Sequence, residues 1–169
     1  MTARSVVDIV RALNATSERY LIAGGLAVVA HGYVRLTLDV DLMLDLASPG
    51  LSKVVQALED LGYEPKIVPV RLTALLDPVQ RASWVRDKGA VVLNLRSTEH
   101  VQTGIDVFLD PPLDFDPCWS RMVKIEVEPG MRAPFVSRED LLEMKRKAGR
   151  PRDLEDIRAL EDLGPQEPR

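Results

Sequence analysis

The chain has 169 residues, 46% of them hydrophobic and 28% charged, which describes one soluble folded domain rather than a disordered chain. Its 22 basic and 26 acidic residues leave a net charge of −4, too acidic to coat nucleic acid non-specifically, although a local basic patch can still grip a phosphate backbone. One cysteine, Cys118, excludes an internal disulfide and a cysteine-rich zinc site, and two histidines, His31 and His100, argue against a multi-histidine centre. No apolar run approaches ~20 residues, so no membrane span is expected. Met1 to Ser5 leads into a helical pattern rather than an apolar leader, so the expected setting is cytoplasmic.

Along the chain, Val6, Ile9, Val10 and Leu13 recur at helical spacing and predict a helix over 4–15. Tyr20 to Ala23 reads as a strand stopped by Gly24-Gly25, and a short helix follows over 26–31 with Gly32 as its cap. Leu38 to Leu44 alternates polar and apolar residues, the mark of a strand with carboxylates on one face and aliphatics on the other. A helix is predicted over 51–61, ended by Gly62, then a strand from Tyr63 to Val70 broken by Pro65 and Pro69. Residues 71–89 read as a loop or broken helix. Ala90–Leu95 and Gly104–Leu109 read as strands, 110–117 as a loop, and Val123–Val127 with Ala133–Val136 as a hairpin around Pro129-Gly130. Ser137 caps a helix over 138–148, and Pro151 opens a last helix over 151–163. The expected fold is an α/β (α+β) domain with a mixed sheet. Residues 1–136 would form its core, 137–163 a C-terminal helical pair packed on it, and 164–169 a frayed tail.

The stretch from Leu21 to Leu42 carries the chemistry. A strand runs into Gly24-Gly25 and then a helix, and amides at a helix start carry partial positive charge that a phosphate can approach closely over glycine. Asp39 and Asp41 share one face of a strand, about 6.5–7 Å apart along it. Asp106 is a third acid inside an apolar strand, where an unpaired carboxylate is costly. If the two strands are neighbours, three carboxylates converge, the arrangement that holds two metal ions about 3.5–4 Å apart for phosphoryl or nucleotidyl transfer. Asp45 and Asp110 read as solvated strand-end acids, and His31 as a structural residue. Lys145, Arg146, Lys147, Arg150 and Arg152 form a basic run that is either a solvated helix face or a phosphate contact.

The pattern Gly24-Gly25, Asp39-Val-Asp41 and a later Asp106 strand resembles the signature of the polymerase-β-like nucleotidyltransferases. The segments His31-Gly32 and Arg35-Leu-Thr37-Leu-Asp39, with Met144-Lys-Arg-Lys through Asp153-Leu-Glu-Asp156, are similar to its minimal nucleotidyltransferase and AbiEii-type toxin branch. The resemblance implies a nucleotidyltransferase-like mixed sheet flanked by helices. It implies an enzyme that moves a nucleoside monophosphate from an NTP to a hydroxyl with magnesium, two ions in all. Asp39, Asp41 and Asp106 would be catalytic and hold the metal. Gly24, Gly25, Arg35, Thr37, Lys145 and Asp153 would bind the nucleotide. The implied acceptor is an RNA (a tRNA 3′ end) or a protein hydroxyl, with a cognate antitoxin or toxin as possible partner; the other reading is a non-catalytic, nucleotide-binding or antitoxin-like partner of the same fold.

Overall fold

The computed structural model describes residues 1–66 and 70–164. Among these residues a single mixed sheet of seven strands has the order β3-β4-β5-β2-β1-β7-β6. Its first half is built from α1 (Ala3–Thr16), β1 (Tyr20–Ala23), α2 (Gly24–Ala30), β2 (Asp39–Leu44), α3 (Leu51–Asp60) and β3 (Tyr63–Pro65). A 3-10 turn at Leu72–Leu76 then leads into α4 (Pro78–Lys88). The second half adds β4 (Val92–Ser97), β5 (Gly104–Phe108), α5 (Phe115–Ser120), β6 (Val123–Glu128), β7 (Met131–Phe135), α6 (Arg138–Ala148) and α7 (Pro151–Asp162).

Most predicted elements form within a residue or two of their expected bounds, because their apolar periodicity is real burial. Helix α1 turns Val6, Ile9, Val10 and Leu13 inward, and α3 turns Leu51, Val54, Val55 and Leu58 inward. Four differences have local causes. Gly24 and Gly25 do not precede α2 but form its first turn. The strand expected over 63–70 ends at Pro65, and residues 67–69 lie outside the described residues, as do 165–169 of the expected tail. The ambiguous 71–89 segment is a helix broken once: Asp77 accepts the amides of Val79 and Gln80, and Pro78 takes the first helical position. Part of the loop expected over 110–117 is helical, since α5 starts at Phe115 and buries Cys118.

The sheet places the acids. β1 and β2 are antiparallel with Ala23 opposite Asp41, while β2 and β5 are parallel with Asp41 opposite Asp106. β4 continues the row with Asn94 opposite Asp106. One line across four strands therefore reads Ala23, Asp41, Asp106, Asn94, at about 4.8 Å per strand. Directly paired residues share a face, so Asp41 and Asp106 point the same way, and Asp39 joins them by period two. Val40, Leu42, Ile105 and Val107 fill the opposite, buried face. The two parallel contacts, β2/β5 and β1/β7, bring segments distant in sequence together, and α6 reaches back to pack against α2.

Candidate active site

A cleft of about 590 Å³ opens over the acid-bearing face. Its walls include Gly24, Gly25, Arg35, Thr37, Asp39, Asp41, Asp106, Lys145 and Asp153, so all nine residues singled out from the sequence face one space. Their local geometry follows from an extended segment that prolongs the alternation of β2. From residue 33 to 39 the odd positions are partly buried and the even ones exposed, with Val34 at 85%, Leu36 at 74% and Leu38 at 57%. Arg35, Thr37, Asp39 and Asp41 thus lie on one side, period two carrying them there together.

Gly24 and Gly25 sit against this row. Gly24 has φ +57°, and a Cβ there would overlap the Asp41 carboxylate. A Cβ on Gly25 would collide with Thr37, with the Arg35 guanidinium close behind. The Gly25 amide donates to Asp41 Oδ2 at 3.2 Å, so this helix-start donor orients an acid of the site in addition to lining the cleft. Gly24→Ala should therefore cost more than left-handed backbone strain, which alone is about 1–3 kcal/mol. Gly130, at φ +81° with open space around it, supplies the comparison. Urea midpoints should show Gly24→Ala clearly more destabilised than Gly130→Ala; equal losses would remove the steric contribution of Asp41.

Two of the carboxylates, Asp41 and Asp106, have raised proton affinity. Burial, then the charge of Asp106, pushes Asp41 up to about 6; Asp39 adds to the rise, and the Gly25 amide opposes it. Asp106 is also raised, first by burial and further by Asp39, while a 2.7 Å hydrogen bond donated by Asn94 Nδ2 and the charges of Lys66 and Arg150 hold it down. Among the described residues no three acid, histidine or cysteine side chains are preassembled as a metal cage. The donor chemistry nevertheless fits a hard divalent cation: three carboxylates face one cleft, and burial makes two of them hold protons more tightly than usual.

Lys145 is tied down rather than free. Its side chain is 6% exposed, and its ammonium lies 3.1 Å from Asp153 and 2.6 Å from Asp156. Asp156, 1% exposed, also takes the Arg35 guanidinium at 2.7 Å. Lys145 and Arg35 thus converge on one buried acid from α7, and the basic run divides between that network and the cleft rim. Lys147, Arg150 and Arg152 line the rim, where Lys147 Nζ donates to the Pro112 carbonyl at 2.9 Å and Arg152 donates to the Leu36 carbonyl. Arg146 faces away and pairs with Glu161 at 2.7 Å. Asp153 also accepts the Arg150 backbone amide, capping α7.

Two residues of this network receive no role in the site from the sequence, Asn94 and Asp156. Asn94 is the one polar side chain in Val91-Val-Leu-Asn-Leu95, a period-two signal visible in principle. Asp156 closes the Asp153-Leu-Glu-Asp156 segment, a turn further into α7 than Asp153, and only the fold shows that it is buried. Of the two acids read as solvated, Asp110 is exposed but stands at the cleft rim. Asp45 is instead partly buried and paired with Arg19 at 2.5 Å, since its strand end packs beside the start of β1. His31 accepts its structural role: Nε2 lies 2.9 Å from the Val136 carbonyl, tying the end of α2 to the end of β7.

Residues 4–163 match the family described as nucleotidyltransferase of unknown function (DUF6036). The chain belongs to this family. No curated protein matches it. Two solved structures share the nucleotidyltransferase's fold. One is the lincosamide antibiotic adenylyltransferase LnuA, solved with lincomycin bound, at 19% identity and a TM-score of 0.63, with 95% of this chain and 97% of that one covered. The other is ANT(2″)-Ia in complex with adenylyl-2″-tobramycin, at 14% identity and a TM-score of 0.60, with 96% and 89% covered. The chain is therefore a nucleotidyltransferase, an enzyme built on the mixed α/β fold of these structures.

Proposed function

We propose that the nucleotidyltransferase moves a nucleoside monophosphate from an NTP to a hydroxyl in this cleft, with Asp39, Asp41 and Asp106 as the acids that hold magnesium. The observation that carries the reading is the in-register pairing of Asp41 with Asp106, with Asp39 on the same face and Gly24-Gly25 against them. Divalent cations held by these acids would neutralise charge on the transferring and leaving oxygens. Lys147, Arg150 and Arg152 line the rim and suit the triphosphate, while Arg35 and Thr37 line the wall beside Gly25. Asp106, with its raised proton affinity, is suited to take the acceptor's proton. Lys145 and Asp153 act on the nucleotide through the Asp156 network, which fixes where the Lys145 charge stands beside Asp41.

The acceptor follows from the motif resemblance and from the positive rim: a hydroxyl of RNA, such as a tRNA 3′ end, ahead of a protein hydroxyl, in a cytoplasmic toxin–antitoxin or defence setting. The two structural relatives are named for small antibiotic substrates, which makes a small-molecule hydroxyl the competing acceptor. The test is transfer from each α-³²P-labelled NTP, with magnesium, to total tRNA, to lysate protein, and to a lincosamide or an aminoglycoside. Label on RNA that disappears in Asp39→Asn supports the reading. Label on an antibiotic alone replaces the acceptor. An absence of label and of Mg-NTP binding points to a non-catalytic partner of the same fold.

A further inference from the structure

A second cleft of about 390 Å³ lies on the other side of Asp39. Asp39 and Leu38 belong to the walls of both spaces. The second is otherwise built from the edge of the sheet, with Lys66, Arg96 and Gln102 as its long polar side chains and Val101 and Met1 as apolar ones. Gly104 also lines it, and a Cβ there would overlap the Asp39 carboxylate, so the acid stands directly against the backbone of β5.

We propose that this second cleft is the acceptor subsite and receives a phosphate-bearing acceptor, Lys66 and Arg96 gripping the phosphate beside the reacting hydroxyl while Leu38 and Val101 carry its sugar and base. The inference rests on the nucleotidyl-transfer reading of the first cleft. Three carboxylates repel any anionic acceptor, and the cations on the rim of the first cleft are placed for the triphosphate; an acceptor with its own phosphates needs cations on its own side. The second cleft supplies two. Among the described residues Lys66 makes no ion pair. Among the described residues Arg96 pairs only with Glu64 at 3.1 Å, with both side chains more than half exposed. Such an exposed pair is worth little and yields readily to a phosphate. Leu38 and Val101, 57% and 79% exposed, offer aliphatic surface that a neutral polar acceptor does not need. In the step itself, the acceptor oxygen gives its proton to Asp106 and bonds to the α-phosphorus. The bond from that phosphorus to the bridging oxygen breaks, and pyrophosphate leaves with the electron pair.

The experiment compares wild type with Lys66→Glu/Arg96→Glu on the full chain. A 5′-fluorescein single-stranded RNA dodecamer reports acceptor binding by anisotropy, a nucleoside 5′-monophosphate competes as the small source of the same phosphate, and calorimetry with each Mg-NTP reports the first cleft. The charge reversals should weaken RNA binding more than tenfold, lower the salt slope by about 1.4, the value for two phosphate contacts on a single strand, and leave Mg-NTP binding within twofold. Lys66→Arg/Arg96→Lys should restore RNA binding. Displacement of RNA by the monophosphate, or binding of the monophosphate alone, assigns the subsite to its terminal nucleotide. RNA binding that survives the reversals but is lost in Lys147→Glu/Arg150→Glu overturns the proposal, as does wild type that binds Mg-NTP but neither phosphate probe. Failure of the underlying reading looks different: no Mg-NTP binds wild type at all.

Discussion

Asp41→Asn is expected to abolish transfer while making the metal-free protein more stable at neutral pH. The activity loss should reach at least about 10²–10³-fold in kcat, the scale of removing one preorganised electrostatic group from a transition state. The gain in stability follows from the environment of the carboxylate. Burial and the neighbouring Asp106 and Asp39 lift its pKa from an ordinary 3.8 to about 6. Between those two values the native state binds more protons than the unfolded chain, so stability falls as pH rises through the window. Below pH ~4 the carboxyl is protonated in both states and exacts no penalty. Above pH ~6 the penalty is complete, at about 3 kcal/mol for a shift of this size.

The asparagine variant carries no such penalty. In EDTA its Tm should exceed that of wild type at pH 7.5, and the difference should shrink towards pH 4. Added magnesium should reverse the order by raising the Tm of wild type more than that of the variant, because a ligand that binds only the folded state stabilises it. Thermal melts at four pH values, with and without the cation, check each part. A variant less stable than wild type at pH 7.5 in EDTA would show that Asp41 is held by favourable contacts rather than crowded by its neighbours.

Asp156→Ala should be the most destabilising single substitution in the site. Asp156 is 1% exposed and faces both Lys145 and Arg35, themselves buried to 6% and 13% side-chain exposure. Removing one member of a buried ionic set leaves the others charged and desolvated, a loss of about 3–5 kcal/mol. At about 2–4 °C per kcal/mol for a chain of this size, Tm should drop by about 6–20 °C. The cause can be separated from lost packing. Asp156→Asn/Lys145→Met removes one charge of each sign and should recover part of the loss, with Arg35 still lacking its acid. If the double variant is as unstable as Asp156→Ala, the helix contact matters through shape and not through charge. In either variant the KM for NTP should rise, because Arg35 and Lys145 line the cleft that Asp156 organises.

The relation between the sequence and this site differs from residue to residue. Asp39, Asp41 and the extended run before them were legible because period two is a local property: a strand fixes which side each residue takes without any knowledge of its neighbours. The helices α1, α3 and α6 were legible for the same reason, their apolar stripes and caps being written within a few residues. Gly24 and Gly25 announced a special backbone, but their closeness to Asp41 and Thr37 depends on β1 lying antiparallel to β2 with Ala23 opposite Asp41.

The long-range facts were decided only by the tertiary structure. Asp106 stands beside Asp41 because β5, more than sixty residues on, pairs in parallel with β2, and no local pattern specifies that register. Asn94 reaches Asp106 by the next strand over, and the split of the basic run into a buried lysine and a charged rim follows from the packing of α6 on α7. Asp156 is the clearest case. In the sequence it is the second acid of the Asp153-Leu-Glu-Asp156 segment and carries no role in the site, whereas in the fold it is buried between Lys145 and Arg35. Local periodicity and capping are short-range, so the chain itself determined the elements, the acid-bearing face and the glycine step. Burial and ion pairing depend on which segments meet, so only the closed sheet and its helical cover determined which charges are neutralised and which are left facing the cleft.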